Sequence, residues 1–184
     1  MTMIQRPLNT RRALAAAFSF ALAAGSLTVT SAVAQTTPGA PTKTSNLSAE
    51  AAKAIIAPFY DVLNKPATKN VAEIVQASVL PEWRSFSGEG VFKNREEFIQ
   101  LVIGFGKGIP DLAWNIKEML VVGDRVIVRG EATGTPAGAF FGVPHGGKSF
   151  KIMAIDIHTV KDGKLVTAYH VEDWATAMRQ LSAK

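Results

Sequence analysis

The sequence predicts an α+β domain in which N-terminal helices close a curved antiparallel sheet into a cone with a pocket. Two observations carry this expectation. Apolar residues recur at helical spacing up to about Phe105 and at strand spacing after it. Two turn pairs, Gly123-Asp124 and Asp162-Gly163, punctuate the second half as hairpins. Helices first and strands afterwards is the order of segregated α+β layers, and no internal repeat is evident. A curved sheet closed by helices leaves a concave space, the usual shape of a small-molecule site.

Ser48 is suited to cap a helix reaching about Leu63, in which Ala51, Ile55, Ile56, Phe59, Val62 and Leu63 share one face. Pro58 falls inside this stretch and is expected to kink or split it. A second short helix fits Asn70 to Val79, with Val71, Ile74 and Val75 inward and Pro81 as its stop. Asn94 can cap a third, with Phe98, Leu101, Val102 and Phe105 apolar. Gly104, Gly106 and Gly108 are expected to fray its end before Pro110. Leu112–Leu120, Arg125–Thr133, Ser149–Val160 and Lys164–Val171 read as strands. Gly134 to Lys148, broken by Pro136, Pro144 and several glycines, reads as a long loop. Asp173 is placed to cap a last helical turn running to Leu181.

The N-terminus has a different character. Residues 1–34 carry Arg6, Arg11 and Arg12 and no acid, then an apolar run from Ala13 to Ala24, then Ala32-Val33-Ala34. Basic start, short apolar centre and small-x-small end predict a secretory signal peptide cleaved after Ala34, against the alternative of a buried N-terminal helix. The apolar run is shorter than the ~20 residues that span a bilayer. Thr10-Arg11-Arg12-Ala13-Leu14 fits twin-arginine export as well as the ordinary route. Residues 35–47 read as a flexible linker and 48–184 as the folded domain. The expected location is periplasmic or secreted, with no membrane attachment after cleavage.

Composition narrows the function further. The 184 residues contain no cysteine, which excludes disulfides, thiolate nucleophiles and cysteine-ligated metals. Net charge is +5, but three of those charges are the signal arginines, and removing them leaves +2. The basic balance therefore belongs to the leader, and no basic stripe for nucleic acid is visible. Gly104-Phe105-Gly106-Lys107-Gly108 follows a helix rather than a strand, the wrong context for a phosphate loop. His145, His158 and His170 show no short metal-ligand spacing.

The chemistry is expected around the last hairpin. A three-residue turn at Lys161–Gly163 would pair Val160 with Lys164. It would set His170 opposite Ala154, with Asp156 diagonally beside it on the same face. Met153, Ile155 and Ile157 form the opposite, apolar face. A two-residue turn pairing Lys161 with Lys164 would put Asp156 and His170 on opposite faces. A carboxylate beside an imidazole fixes its tautomer and raises its basicity, so His170 is the candidate acid/base and Asp156 its orienter. A structural polar pair is the competing reading. Asp173 is the fallback carboxylate, with helix capping the simpler role. Tyr60, Trp83, Trp114 and His158 are candidate pocket-lining residues, alongside Phe59 and Trp174; such aromatics are also plain core material. His145, in the glycine-rich loop, is a pocket lip or an exposed turn residue.

Gly134-Thr135-Pro136-Ala137-Gly138, Phe141-Gly142-Val143-Pro144, Gly147-Lys148, Ile155-Asp156-Ile157, Asp162-Gly163-Lys164-Leu165 and Gln180-Leu181, in that order, resemble the SnoaL-like polyketide cyclases, also called ester cyclases. The resemblance covers about Ser48 to Leu181. It implies the nuclear transport factor 2-like cone, often a homodimer through the sheet. It also implies ring closure by intramolecular aldol condensation of a mostly apolar small molecule, without metal or organic cofactor. Family members use an Asp on the last strand near a His on the preceding one. Here His170 stands at the Asp position and Asp156 at the His position, so the pair is exchanged across the hairpin. Aldol chemistry, dehydration and hydrolysis all fit such a pair. A non-catalytic periplasmic module that binds an apolar molecule is the alternative function.

Overall fold

The computed structural model describes residues 46–144 and 146–183, so the expected signal peptide, nearly all of the expected linker, and His145 lie outside the described residues. Helix α1 (Ala49–Val62) starts at Ser48, whose hydroxyl accepts from the Ala51 N–H at 3.1 Å. It runs through Pro58 in one piece rather than splitting. Pro58 lies on the exposed side, where the carbonyl it leaves unbonded can reach water, while Ile56, Phe59, Tyr60 and Val62 hold the opposite side in the core.

A 3-10 turn (Pro66–Thr68) leads to α2 (Val71–Ser78), capped by Asn70. The chain then enters two strands that the sequence reading left unassigned, β1 (Val79–Gly88) and β2 (Val91–Asn94). Pro81 is what hid them. It sits exposed where the pairing of β1 slips between Val79 and Arg84, and a proline is tolerated in a ladder only at such irregularities or at edges.

Helix α3 (Arg95–Gly108) opens with a full capping box, Asn94 and Glu97 each accepting from the other's backbone N–H. Its glycines do not fray it. Gly106 lies against the 3-10 turn, where a Cβ would come within 2.6 Å of the Ala67 nitrogen, so this glycine lets two backbones touch. The remaining strands are β3 (Ala113–Val122), β4 (Arg125–Gly134), β5 (Phe150–Lys161) and β6 (Lys164–Glu172), followed by α4 (Trp174–Ser182).

Strand order is β2-β1-β6-β5-β4-β3 in one open curved sheet. Neighbours are antiparallel except β1 and β6, which run parallel and are separated in sequence by helix α3 and four strands, enough chain for the crossover that a parallel pair needs. All four helices pack on the sheet. Phe59, Trp83 and Phe98 form the centre of the core, with the two Phe rings stacked at 5.3 Å and Trp83 edge-on to Phe98 at 5.0 Å.

The β5–β6 hairpin differs from the expected three-residue turn. Asp162 and Gly163 both have positive φ, 52° and 73°, and form a two-residue turn with Lys161 opposite Lys164. That turn alone would separate Asp156 from His170. A bulge between Leu165 and Thr167 shifts the ladder by one residue, and from there Asp156 lies directly opposite His170. The shared face survives by this compensation, and the pairing is direct rather than diagonal.

Candidate active site

The helix-covered face of the sheet carries two successive cross-strand rows. One runs Lys93, Ser85, Ala168, His158 and Val126 across β2, β1, β6, β5 and β4. The next contains His170, Asp156 and Val128. Above these rows lies a cavity of about 400 Å³. Its wall is mostly aromatic and aliphatic, with Phe59, Phe98, Phe105, Trp114 and Trp174 among the lining residues, and its polar side chains include Ser85, Lys93, Asp156, His170 and Glu172. This is the expected range for a small-molecule site, an apolar enclosure with a few placed polar groups.

Asp156 is buried, 6% exposed, and its Oδ2 accepts from the Tyr60 hydroxyl at 2.8 Å. Burial pushes its carboxyl up to about 6; the Tyr60 hydrogen bond opposes the rise, and the nearby Glu172 charge adds to it. The Tyr60 hydroxyl also meets His158 Nε2 at 3.0 Å. An ionised Asp156 can only accept, so Tyr60 donates to it and its oxygen accepts a hydrogen bond from His158 Nε2–H. That leaves His158 Nδ1 bare, and it has no partner among the described residues. Complete burial drives the His158 imidazole down to about 3, keeping it neutral.

His170 is held by a residue the sequence reading did not single out. Its Nδ1 lies 2.7 Å from Glu172 Oε1, and Glu172 Oε2 accepts from Trp174 Nε1 at 3.2 Å. Burial of His170 acts to lower its proton affinity, but the Glu172 hydrogen bond and the Glu172 and Asp156 charges outweigh it and raise the imidazole above its ordinary value. Glu172 was findable. It stands two residues beyond His170 on one strand and so shares its face. The orienting contact expected from Asp156 therefore comes from Glu172. Asp156 instead faces the imidazole across the strand pair, anchored by Tyr60.

The other sequence candidates fall into place around this centre. Trp114 lines the cavity. Tyr60 sits behind the wall and reaches the site through its hydroxyl. Trp83 and His158 are fully buried beneath it. Asp173 caps α4, accepting from the Thr176 N–H at 2.9 Å, and the Thr176 hydrogen bonds hold its carboxyl below the usual range. That is the capping role rather than the fallback one. Among the described residues no group of three or more His, Asp or Glu side chains is arranged to hold a metal ion.

Fold and site together define a class: a helix-covered curved sheet whose inner face sets a coupled carboxylate and imidazole inside an apolar cavity. The chain belongs to the SnoaL-like polyketide cyclase family, whose model matches residues 54–181. The structure is similar to TsrD from Streptomyces laurentii, with TM-score 0.65, 22% identity, and coverage of 75% of this chain and 99% of that one. It is also similar to IdmH from Streptomyces antibioticus, with TM-score 0.63, 24% identity, and coverage of 71% and 98%. A SnoaL-like polyketide cyclase from Agrobacterium tumefaciens gives TM-score 0.58 at 19% identity, covering 70% and 95%. At these identities the likeness speaks for the fold. No curated protein matches the chain.

Proposed function

We propose that the chain is an exported, cofactor-independent enzyme of cyclase or lyase type, acting by acid/base chemistry on an apolar, carbonyl-containing small molecule. The observation that carries this is the Asp156–His170 pair facing one apolar cavity, both side chains on its wall. Asp156, with its carboxyl near 6, is ionised at neutral pH, and the Glu172 hydrogen bond favours the protonated form of His170. The roles divide accordingly. Asp156 takes the proton from the carbon next to the carbonyl. His170 Nε2–H donates to the carbonyl oxygen, where negative charge develops. Glu172 positions the imidazole and Tyr60 positions the carboxylate. In an intramolecular aldol step the enolate carbon then attacks a second carbonyl carbon of the same molecule, and the new alkoxide takes up a proton equivalent to the one Asp156 removed, which returns Asp156 to its carboxylate.

The first half of this chemistry is observable without the natural substrate. An apolar ketone such as 2-tetralone, incubated in D₂O, should exchange its α-protons faster with the protein than without it, read by proton NMR. Asp156→Asn should abolish the acceleration. Binding of the ketone with no acceleration would favour the alternative, a periplasmic module that holds an apolar molecule without chemistry. Export is a separate component of the proposal. The intact mass of the protein from the periplasm should correspond to a chain beginning at Gln35, and finding only the full-length chain, in the cytoplasm, would remove it.

A further inference from the structure

The cavity holds one cation that the acid/base step does not use. Lys93 lines it from β2, and no carboxylate lies within salt-bridge distance of its ammonium among the described residues. The site's own anions are engaged elsewhere: Glu172 with His170 and Trp174, Asp156 with Tyr60. The adjacent cation of β1, Arg84, lies over the Phe92 ring at 4.6 Å instead of in the cavity. Lys93 is close enough to His170 for its charge to oppose protonation of that ring. Two N–H donors, the Lys93 ammonium and His170 Nε2, thus border one apolar space without protein acceptors among the described residues.

The strand register says what lies between them. Lys93 pairs with Ser85, Ser85 pairs with Ala168, and His170 is the next inward residue of β6 after Ala168. Ser85 is 3% exposed and lines the cavity, adding a hydroxyl to the same corner. Ala168 has the smallest side chain of the row and leaves the room above it open. Lys93 is half-exposed, so its ammonium is free to exchange water for a ligand anion through charge-assisted hydrogen bonds.

We propose that the cavity is a site for apolar molecules bearing a carboxylate, which sits over Ala168 against Lys93 and Ser85 and leaves the His170 Nε2–H to the carbonyl. The inference deepens the enzymatic reading above and rests on it: the substrate class becomes an apolar keto acid. Its carboxylate fixes the molecule at Lys93 while the carbonyl meets the Asp156–His170 pair.

The test uses a matched pair of probes, 2-naphthoate and its uncharged methyl ester, binding to the full chain by isothermal titration calorimetry. The acid should bind about tenfold more tightly than the ester, the ratio expected for one charge-assisted contact. Lys93→Met should erase that ratio and leave ester affinity within about twofold, while Lys93→Arg should keep it. Circular dichroism checks that both variants remain folded. Equal affinities for acid and ester, or a ratio that survives Lys93→Met, overturns the carboxylate site while leaving the α-proton exchange test of the enzyme standing. Failure of both probes to bind removes the apolar cavity reading and this inference with it. Loss of exchange in Asp156→Asn with the acid preference intact separates the two roles.

Discussion

The two faces of the β5–β6 hairpin are built from alternate residues of the same strands, yet their polarity is the reverse of a simple sheet. Met153, Tyr169 and Val171 face outward and are 55%, 46% and 64% exposed. Asp156 and His158 face inward at 6% and 0%, with Ala154 and Ala168 beside them. Hydrophobic residues are usually taken to mark the buried side of an alternating strand. Here the clean apolar set is outside and the titratable set is inside. Burying ionisable groups is costly unless each has a partner, and these have them: Asp156 with Tyr60, His158 with Tyr60, His170 with Glu172. A fold that accepts this on one face only gathers perturbed carboxylate and imidazole groups in a cavity, a common mark of a functional site.

The largest expected effect tests that contrast on activity. Asp156→Asn and His170→Gln should each slow α-proton exchange by about 10²–10⁴-fold, the usual span for removing a general acid or base. Tyr169→Ser on the outer face should leave it within about twofold. Equal loss from both faces would break the comparison, since it would mean the substitutions act through folding alone. Glu172→Gln adds a finer reading. As a positioning residue it should shift the pH profile of exchange toward lower pH, because the group that raises the His170 proton affinity is gone.

Much of this was legible in the residues. Ser48, Asn94 and Asp173 each cap the helix expected of them, because a short polar side chain before an apolar periodic run has few other uses, and Asn70, expected as the first residue of its helix, proves to be its cap. Four of six strands were visible through alternation and turns. The two that were not, β1 and β2, contain Pro81 and the charged residues Glu82, Arg84 and Lys93. β1 is held by tertiary pairing with β6, and β2 by pairing with β1, rather than by local preference. The site was half legible. Period two placed Asp156 and His170 together only under an assumed turn. The actual turn is of the alternative, two-residue kind, corrected by a bulge whose sequence, Leu165-Val166-Thr167, carries no mark of it. Glu172 obeyed a rule already in use and was overlooked. Tyr60 contributes through a contact 96 residues away in sequence, which no local pattern encodes.

Stability offers the next contrasts. Trp83→Ala removes a fully buried ring packed on Phe59 and Phe98, and should cost about 3–5 kcal/mol in urea unfolding. Asp156 should show a smaller effect with a definite sign. Its carboxyl is raised from 3.8 to about 6 in the folded chain, so the folded state holds that proton longer than the unfolded one. The stability tied to it is complete below about pH 4, falls as pH rises toward 6, and is gone above. Asp156→Asn does not titrate. The stability difference between wild type and this variant should therefore move against wild type across pH 4 to 6, by up to about 3 kcal/mol. His158, lowered to about 3, slopes the other way in both proteins, losing stability as pH falls below 6.5, and largely cancels in the difference. A difference that is flat with pH would mean Asp156 is charged at all these values, and the inner face less desolvated than its burial implies.

The smallest effect belongs to the outer face and is the sharpest check on its being free. Val171 is 64% exposed at the end of β6, on the opposite side from His170 and Glu172. Val171→Thr keeps the β-branch that strands favour and exchanges a methyl for a hydroxyl that water can satisfy. A surface substitution of this kind should change unfolding free energy by less than about 0.5 kcal/mol, with no dependence on protein concentration. A cost near 2 kcal/mol would contradict the exposure of the site in the single chain, because a buried hydroxyl must then lose its water. If that cost also grew with protein concentration, the cover would be a second copy of the chain. The polarity reversal of the hairpin would then have a second cause: the apolar outer set would be buried in the assembly, and only the inner set would be unusual.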